Sequence, residues 1–509
     1  MMTMTPRRTL LLGALVLAAV GCNEALVPDY NNLTAYPSTP ASLQNQFSGV
    51  FNAPRNSNFT DLFWFELSTD GMARSVAYWT PSEDRFVTQY TGGVPLDKDN
   101  FGARVWDNEF NGVKAADTVL AHVAGLTNAT GQHISAPDAA GLTGVLQTER
   151  ALFYMYLELT HDTLGIPIDG VGKSFTTPAP ILCAPSAWKR IVAILDSADA
   201  ALKTAGGDTL GAKVANFTLT LPTTYAAVSV GGSGSDYSGT SFDAFTLALR
   251  ARAELEYAYA IGRAAGGTSR PTANNAGSPD VTQLNAAIAD VQASKLYSAA
   301  LSAGEANATN DLGVFHAFSA APGDVQNPLF GQAKATYVLQ SAANQIDTLN
   351  DQRFLAKFGA TGTPNNTLVG YQYASDFTYA KNISASTPMP IVRNLELQFI
   401  LARAYLGLGN YALASQTVDA VRVAVGGLPS GLTAANQSQY VAARDFLMRE
   451  MLPTLMLDGT GDQIVALRDY GIAAQNDSTW GSADTHTSTL NIPQTESDGR
   501  SGNIACVNQ

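Results

Sequence analysis

Apolar residues recur at helical spacing along most of the chain, and the pattern is clearest around residue 400. Leu397, Leu401, Ala404 and Leu408 follow one another at intervals of three or four residues, which places them on one face of an α-helix. Phe399, Ala402 and Tyr405 fill its other side. A helix that is apolar nearly all round must be covered on both sides by neighbouring elements.

This helix is joined to a second one by a tight turn at Gly409 and Asn410. The second helix begins at Tyr411 and keeps an apolar stripe up to Val425, before Gly426 and Gly427 end it. The order and spacing of the small and aromatic residues are those of a tetratricopeptide repeat. Because one such hairpin cannot bury its own apolar face, the pattern predicts further hairpins stacked on it.

Helical periodicity predicts seven more helices, around 41–51, 106–125, 142–159, 186–206, 241–261, 284–291 and 440–451. Two stretches, about 59–105 and 301–390, keep many aromatic residues but lose the regular spacing. A structureless loop of such length is improbable inside a compact domain. We therefore expect irregular insertions, partly helical and partly β, packed against the helices, and insertions of this kind often have functional roles.

Composition narrows the class of protein. The 509 residues are 46% hydrophobic, which is enough for a large core, and only 14% are charged. The net charge is −13. Since binding to phosphate backbones requires clustered Lys and Arg, we expect no nucleic-acid partner.

The N-terminus has the features of an export signal. Arg7 and Arg8 precede an apolar run that ends at Gly21 and Cys22, after which the sequence becomes polar. A small residue directly before such a cysteine is typical of bacterial lipoproteins, so we predict that residues 1–21 are removed, that Cys22 is acylated and that residues 22–36 form a tether. Two or more acyl chains anchor a protein stably to a membrane. The alternative is an ordinary cleaved signal peptide without lipid.

Cys183 and Cys506 are then the two remaining cysteines, in a compartment that permits disulfides. The sequence leaves two states open, a bridge that ties the C-terminal tail to the body of the protein, or two separate thiols. A mass shift after alkylation with and without reductant distinguishes them.

The irregular insertions contain the residues that we expect to contact a ligand. Aromatic rings supply flat apolar faces for sugars, and polar side chains at their edges bind hydroxyl groups. For each ring the alternative is packing in the core. The candidate rings are Trp64, Tyr78, Trp79, Tyr90, Tyr371 and Tyr373, and the candidate polar edges are Asp70, Asp84 and Arg74.

The sequence gives little support for catalysis. The acidic pairs Glu66/Asp70 and Asp458/Asp462 could serve a glycosidase, which needs two carboxyl groups about 5–10 Å apart, but solvated helix faces and turns explain them equally well. The five histidines are scattered and show no metal-binding spacing. We therefore expect neither an enzyme nor a metal or cofactor site.

Five stretches along the chain form a recognisable series: Cys22, LQTERALFYMYLELTHDTLGIPI (146–168), DQR (351–353), PIVRNLELQFILARAYLGLGNYALA (390–414) and FLMREMLPTLMLDGTGDQIVALRDYG (446–471). In this order they resemble the SusD/RagB family of outer-membrane nutrient-uptake lipoproteins. Three residues depart from the family pattern, namely Arg403, Asp458 and Gly461.

The resemblance implies a mostly α fold over 37–509, with about four tetratricopeptide-like hairpins forming a right-handed superhelical frame and an irregular subregion with short β segments. It implies a lipid-anchored protein on the outer face of the bacterial outer membrane. Such a protein captures a glycan or other oligomeric nutrient without cleaving it and passes it to a TonB-dependent transporter. The alternative is an exported repeat scaffold that binds only proteins, through its concave helical face.

Overall fold

The structure, a computed structural model, describes the greater part of the chain from residue 40 onward. The predicted signal peptide, Cys22 and the tether lie outside the described residues. The described residues are 40–52, 61–80, 85–90, 96–98, 101–128, 134, 136–169, 178–205, 225–229, 232–234, 242–265, 278–321, 324–365, 375–379, 381, 383–471 and 489–509.

Helices dominate the described part of the chain. In order, they are α1 (Pro40–Asn52), α2 (Asp61–Met72), α3 (Arg85–Thr88), α4 (Phe101–Asn128), α5 (Ala136–His161), α6 (Ala184–Thr204), α7 (Phe242–Ala265), α8 (Val281–Ala293), α9 (Gln340–Ala343), α10 (Gln352–Lys357), α11 (Asn394–Gly407), α12 (Tyr411–Ala424), α13 (Tyr440–Leu455), α14 (Asp462–Asp469) and α15 (Gln494–Gly499). None of the helices described is both long enough and apolar enough to cross a membrane.

Eight of these helices pair in sequence order as α5/α6, α7/α8, α11/α12 and α13/α14, so the described residues contain four helical hairpins. Each hairpin packs against the next, and α4 lies against α5. Close approach of α5 and α6 depends on Gly144, where an added Cβ would lie 2.6 Å from Leu202 Cγ and 2.9 Å from the Ala198 carbonyl oxygen. The mostly α fold with about four hairpins is thus confirmed.

The hairpin α11/α12 has the turn that the sequence predicts. Gly409 has φ 78°, a left-handed conformation that favours glycine, and the Asn410 N–H donates to the Tyr405 carbonyl at 2.8 Å. Leu397, Leu401 and Ala404 are all buried. Helix α11 therefore belongs to the central core, whereas α12 has an exposed side that includes Leu413 and Val423.

The described residues also contain ten short strands. They are β1 (Val76–Tyr78), β2 (Ile166–Pro167), β3 (Ile181–Leu182), β4 (Tyr225–Ser229), β5 (Gly232–Gly234), β6 (Gly313–His316), β7 (Thr336–Val338), β8 (Phe358–Asn365), β9 (Ser375–Tyr379) and β10 (Met389–Arg393). They form three antiparallel sheets with the orders β1-β7-β9-β8, β10-β6-β4-β5 and β2-β3. The short β segments expected in the irregular subregion are present.

One part of the first insertion is more regular than the sequence suggests. Residues 61–72, within the stretch that we expect to be irregular, form helix α2. Residues 62–78 are buried without a break, so α2 is covered on all sides and has no polar face. A helix buried all round shows no amphipathic period, which is why the sequence does not reveal it.

Buried ion pairs connect the hairpins to one another. Arg403 of α11 binds Glu256 of α7 at 2.7 Å and also pairs with Asp469 of α14. Arg252 of α7 binds Glu396 of α11 at 2.6 Å. Both arginines are about 99% buried, and the carboxylates around them replace the hydration that they lose. Arg403, which departs from the family pattern, therefore has its own acidic partners here.

The C-terminal tail is fixed to the frame by a disulfide. Cys183 is bonded to Cys506, with their Cα atoms 4.9 Å apart. Beside this bond, the Val507 N–H donates to the Ile181 carbonyl at 2.8 Å and the Cys183 N–H donates to the Val507 carbonyl at 2.9 Å. Of the two states that the sequence leaves open, the structure has the bridge.

Candidate functional site

The sheet β1-β7-β9-β8 has an outer face with two aromatic rings. Ala77 of β1 lies opposite Tyr337 of β7, and the Trp79 N–H donates to the Ala335 carbonyl at 2.9 Å, one step further along the same ladder. Side chains alternate between the two faces of a strand, so Ala77, Trp79 and Tyr337 lie on one face. Trp79 and Tyr337 are both partly exposed.

The two rings rest on a small apolar cluster that is separate from the main core. It consists of Ala77, Val87 and Leu339, and both Trp79 and Tyr337 pack against it. Rings at diagonal positions of neighbouring strands are within reach of each other. The buried indole N–H of Trp79 has no hydrogen-bond partner among the described residues. We call Trp79 and Tyr337 the ring pair.

The opposite face of the same strands belongs to the main core. Tyr78 packs edge-on against Phe63, with ring centroids 5.5 Å apart, and its hydroxyl donates to Gln332 Oε1 at 2.7 Å. Val76 and Val338, which lie opposite each other, are buried in the same core. The inward side chains therefore fix β1 and β7 to the core, and the ring pair lies on the opposite face of these strands.

The outer face continues across β9 and β8. Thr378 lies opposite both Tyr337 and Gly359, so the row of residues Ala77, Tyr337, Thr378 and Gly359 crosses all four strands on one side. Asp376, two residues before Thr378, shares this face and is partly exposed. Lys381 is exposed, and its side chain lies near Gly359. Thr378 itself is buried, so the groups that this face exposes are the aromatic rings, a carboxylate and an ammonium group.

Beneath the sheet, β1 and β8 are both fixed to the turn between α13 and α14. The carboxylate of Asp70 accepts hydrogen bonds from Ser75 Oγ at 2.9 Å and from the Leu457 N–H at 2.7 Å, and Ser75 directly precedes β1. Lys357, directly before β8, donates to the carbonyls of Thr454 and Met456 at 2.7 and 2.8 Å. Leu457 itself has φ 58°. One turn of the frame thus positions two strands of the sheet.

The acidic groups at this anchor are shielded from water. Burial raises the pKa of Asp70 to about 6, and burial together with the charge of Asp70 raises the pKa of Glu66 well above its usual range. Asp458 binds Lys357 at 2.7 Å and also pairs with Arg393. These carboxyl groups are therefore parts of a closed core network and cannot flank a substrate.

The burial of α2 and β1 corrects most of the predicted ligand contacts from the first insertion. Trp64, Asp70, Arg74, Tyr78 and Tyr90 are all buried, at 1–8% exposure. The ring of Tyr90 is inside the core and its hydroxyl is hydrogen-bonded to Ser68 at 2.5 Å. A ring enclosed in this way has no face on which a sugar could stack, so these five residues are structural.

Trp79 is the one predicted contact that the structure places at the surface of a sheet. Asp84, Tyr371 and Tyr373 lie outside the described residues, so their roles remain predictions. Tyr337 was not predicted, although it stands in the second insertion among other aromatic residues. The sequence feature that could have indicated an outward-facing Tyr337 is the alternation in Thr336–Val338, where the partly exposed ring lies between two buried side chains.

The acidic pairs that the sequence offers as candidate glycosidase carboxyl groups are enclosed in the core, and the described residues hold no metal-binding group. No group of three or more His, Cys, Asp or Glu side chains there could hold a metal ion. The pairs Glu66/Asp70 and Asp458/Asp462 are buried. The chemistry available on the outer face of the sheet is stacking and hydrogen bonding, which suits reversible binding of a polar ligand that has apolar faces.

Comparison with known proteins identifies the fold. No family model matches the sequence, and no curated protein matches it either. Among solved structures, a SusD superfamily protein from Bacteroides fragilis superposes with a TM-score of 0.62 at 14% identity, over 92% of this chain and 98% of the other. A SusD-like carbohydrate-binding protein from Bacteroides vulgatus gives 0.60 at 11% identity, with the same shares covered.

A third similar structure is that of a protein named for glycan binding. The surface glycan-binding protein A from Bacteroides fluxus superposes with a TM-score of 0.58 at 14% identity, over 92% of this chain and 98% of that protein. The chain therefore has the fold of the SusD superfamily over nearly its whole described length. The resemblance that rests on sequence motifs is confirmed at the level of the fold.

Proposed function

We propose that this protein captures an oligosaccharide, or another oligomeric nutrient with apolar faces, on the outer face of the sheet β1-β7-β9-β8 and does not cleave it. The observation behind the proposal is the ring pair, two partly exposed aromatic residues on a sheet whose other face is fixed in the core. The adjoining Asp376, which is partly exposed, and Lys381, which is exposed, supply hydrogen-bonding groups for hydroxyls. The names of the neighbours from B. vulgatus and B. fluxus support a carbohydrate as ligand.

We place the protein at the outer membrane, anchored through acylated Cys22 and facing the cell exterior, where it delivers its ligand to a TonB-dependent transporter. The signal sequence and the cysteine at its end support the anchor. The Cys183–Cys506 disulfide supports a location outside the cytoplasm, because disulfides persist in oxidising compartments.

Calorimetry with a panel of neutral and acidic polysaccharides tests the proposal. We expect one or more polymers to bind, and Trp79→Ala or Tyr337→Ala to weaken that binding at least tenfold, about 1.4 kcal/mol. Tyr297→Ala removes a partly exposed ring from outside the sheet and serves as the matched control, with unchanged affinity. Binding that survives both sheet variants, or no binding to any polymer, would contradict the proposal.

The location is tested separately in cells. Cys22→Ser should move the protein from the membrane fraction to the soluble fraction, and surface labelling should reach the wild-type protein in intact cells. A TonB-dependent transporter should co-purify with wild-type protein after mild detergent extraction. Persistence of Cys22→Ser in the membrane fraction would argue against the lipid anchor without affecting the proposed binding face.

A further inference from the structure

Acidic side chains from three neighbouring helices meet where α6, α7 and α8 pack together, and we call this place the acidic joint. Its acidic residues are Asp196 and Asp199 of α6, Asp243 and Glu254 of α7, and Asp290 of α8. The basic side chains that face them are Lys203 of α6 and Arg250 of α7. The acidic joint therefore has an excess of negative charge.

The basic side chains are bound by the acidic residues of α6 and α8. Arg250 donates two hydrogen bonds to Asp290, at 2.5 Å from Nε and 2.7 Å from Nη2. Its Nη1 lies 3.1 Å from Asp196 and 3.1 Å from Asp199. Lys203 Nζ binds Asp199 at 2.7 Å. The acidic side chains of α7 form no ion pair within the described residues.

The two carboxyl groups of α7 are paired with other carboxyl groups instead. Asp243 is hydrogen-bonded to Asp199, and Glu254 is hydrogen-bonded to Asp290. Asp199 and Glu254 are only 6% and 7% exposed, and one buried oxygen of each receives no hydrogen bond from a backbone, hydroxyl or basic group of the described residues. Because two carboxylates this close repel each other, each pair is stable only with one proton between its members.

The two pairs differ in how firmly they hold that proton. Asp243 is partly exposed, and burial followed by the hydrogen bond to Asp199 raises its pKa from 3.8 to about 6. Glu254 is buried, and burial followed by the charge of Asp290 raises its pKa from 4.5 to about 9. Both values are raised, so each proton stabilises the folded state at low pH, and that contribution is lost as the pH rises through the raised value. The Asp199/Asp243 pair therefore loses its proton first.

We propose that the acidic joint is a pH-sensitive device in which a proton shared by Asp199 and Asp243 holds α6 against α7. Loss of that proton leaves two negative charges facing each other and loosens α6. The Glu254/Asp290 pair keeps its proton over the same pH range, so α8 stays packed on α7. One contact within the helical frame thus responds to mild acid while its neighbour does not, whatever ligand the protein binds.

Hydrogen exchange measured by mass spectrometry tests the device with Asp243→Asn. The amide of asparagine can donate the same hydrogen bond to Asp199 but does not titrate between pH 4 and 8. The ratio of the wild-type to the variant exchange rate cancels the intrinsic effect of pH on exchange. In α6 this ratio should rise at least about threefold between pH 5 and pH 7, a modest value because water screens a partly exposed pair. In α13 it should stay constant.

Melting temperatures provide a second measurement on the same two proteins. At pH 7 Asp243→Asn should melt at a higher temperature than the wild-type protein, because it lacks the repulsion between the two carboxylates. At pH 4 the two melting temperatures should be nearly equal. A variant that melts at a lower temperature at pH 7, or that does not fold, would show that asparagine cannot replace the shared proton and would refute the proposal.

Asp196→Asn is the matched control. Asp196 faces Arg250 in the same joint, but its side chain is 60% exposed and it belongs to neither carboxyl pair. The ratio of its α6 exchange rate to that of the wild-type protein should not change with pH.

Two results from exchange would overturn the proposal. The first is a ratio for Asp243→Asn that is the same at pH 5 and pH 7, or that rises equally in α6 and α13. The second is restored protection of α6 when calcium chloride is added to the wild-type protein at pH 7, because the pair would then hold a cation rather than a proton.

Discussion

Replacement of Arg403 by methionine tests how far the fold depends on its buried charges. Arg403 is 1% exposed, binds Glu256 at 2.7 Å, pairs with Asp469 and lies over the ring of Tyr259 with its Cζ 5.5 Å from the ring centroid. Methionine fills a similar apolar volume but leaves two carboxylates without this cation. Removing one partner of a buried ion pair typically costs about 3–5 kcal/mol.

The second cation at this site limits the loss. Arg263 also pairs with Asp469, so the uncompensated charge in Arg403→Met is mainly that of Glu256. We therefore expect the cost to lie near the lower end of the range, about 3 kcal/mol. Urea unfolding followed by circular dichroism measures this change in the free energy of unfolding. An unchanged slope of that free energy against urea concentration shows that the variant exposes the same surface on unfolding as the wild-type protein.

A surface arginine supplies the control for this experiment. Arg190 binds Asp169 at 2.7 Å, but both side chains are more than 40% exposed, so Arg190→Met should cost only about 0–1 kcal/mol. Adding Glu256→Gln to Arg403→Met should restore part of the stability, because it removes the uncompensated carboxylate. A loss below about 1 kcal/mol for Arg403→Met alone would refute the claim that the buried ion pairs of Arg403 stabilise the fold.

Two further outcomes follow from burial and from the disulfide. Burial, and next the charge of Asp290, raise the pKa of Glu254 from 4.5 to about 9, so the folded protein retains a proton that the unfolded chain releases. The contribution of protonated Glu254 to stability is fully present below pH 4.5 and is lost as the pH rises through about 9. Melting temperatures measured from pH 6 to 9 should therefore fall, and the fall should be shallower in Glu254→Gln. An equal slope in both proteins would contradict this. Replacing Cys183 and Cys506 with alanine should cost about 2–5 kcal/mol and make the melting temperature insensitive to reductant, whereas a wild-type protein equally insensitive to reductant would contradict the role of the bridge.

The helical frame could be predicted from the sequence because its helices are long and its hairpin turn has a distinctive pattern. Gly409 marks a turn that needs a positive φ, and Leu397, Leu401 and Ala404 mark the buried side of α11. The sequence does not predict helix α2, because a helix that is buried on all sides has no amphipathic period. Trp64 in α2 and Tyr90 after α3 were candidates for binding because the sequence does not distinguish an aromatic residue in an exposed loop from one that is enclosed in the core.

The proposed binding face depends on strand pairing between distant parts of the chain. Trp79 and Tyr337 become neighbours through the register of β1 and β7, and no local pattern specifies which residues lie opposite each other. The partnership of Cys183 and Cys506 was open for a similar reason, because composition gives the number of cysteines and not their distance. Sequence periodicity reports on one element at a time, whereas this site is made by contacts between elements.

The anchor of β1 has a consequence for the order of folding. The hydrogen bond from the Leu457 N–H to Asp70 joins residues 387 positions apart, and the bond from Tyr78 to Gln332 spans 254 positions. Contacts of such long range form slowly, because a long stretch of chain must first be brought together. The strand that contains Trp79 is synthesised early, but its hydrogen-bonded support at residue 457 is synthesised much later. A chain truncated before α13 would contain Trp79 and Tyr337 of the proposed binding face and still lack the hydrogen bond from Leu457 that supports the start of β1.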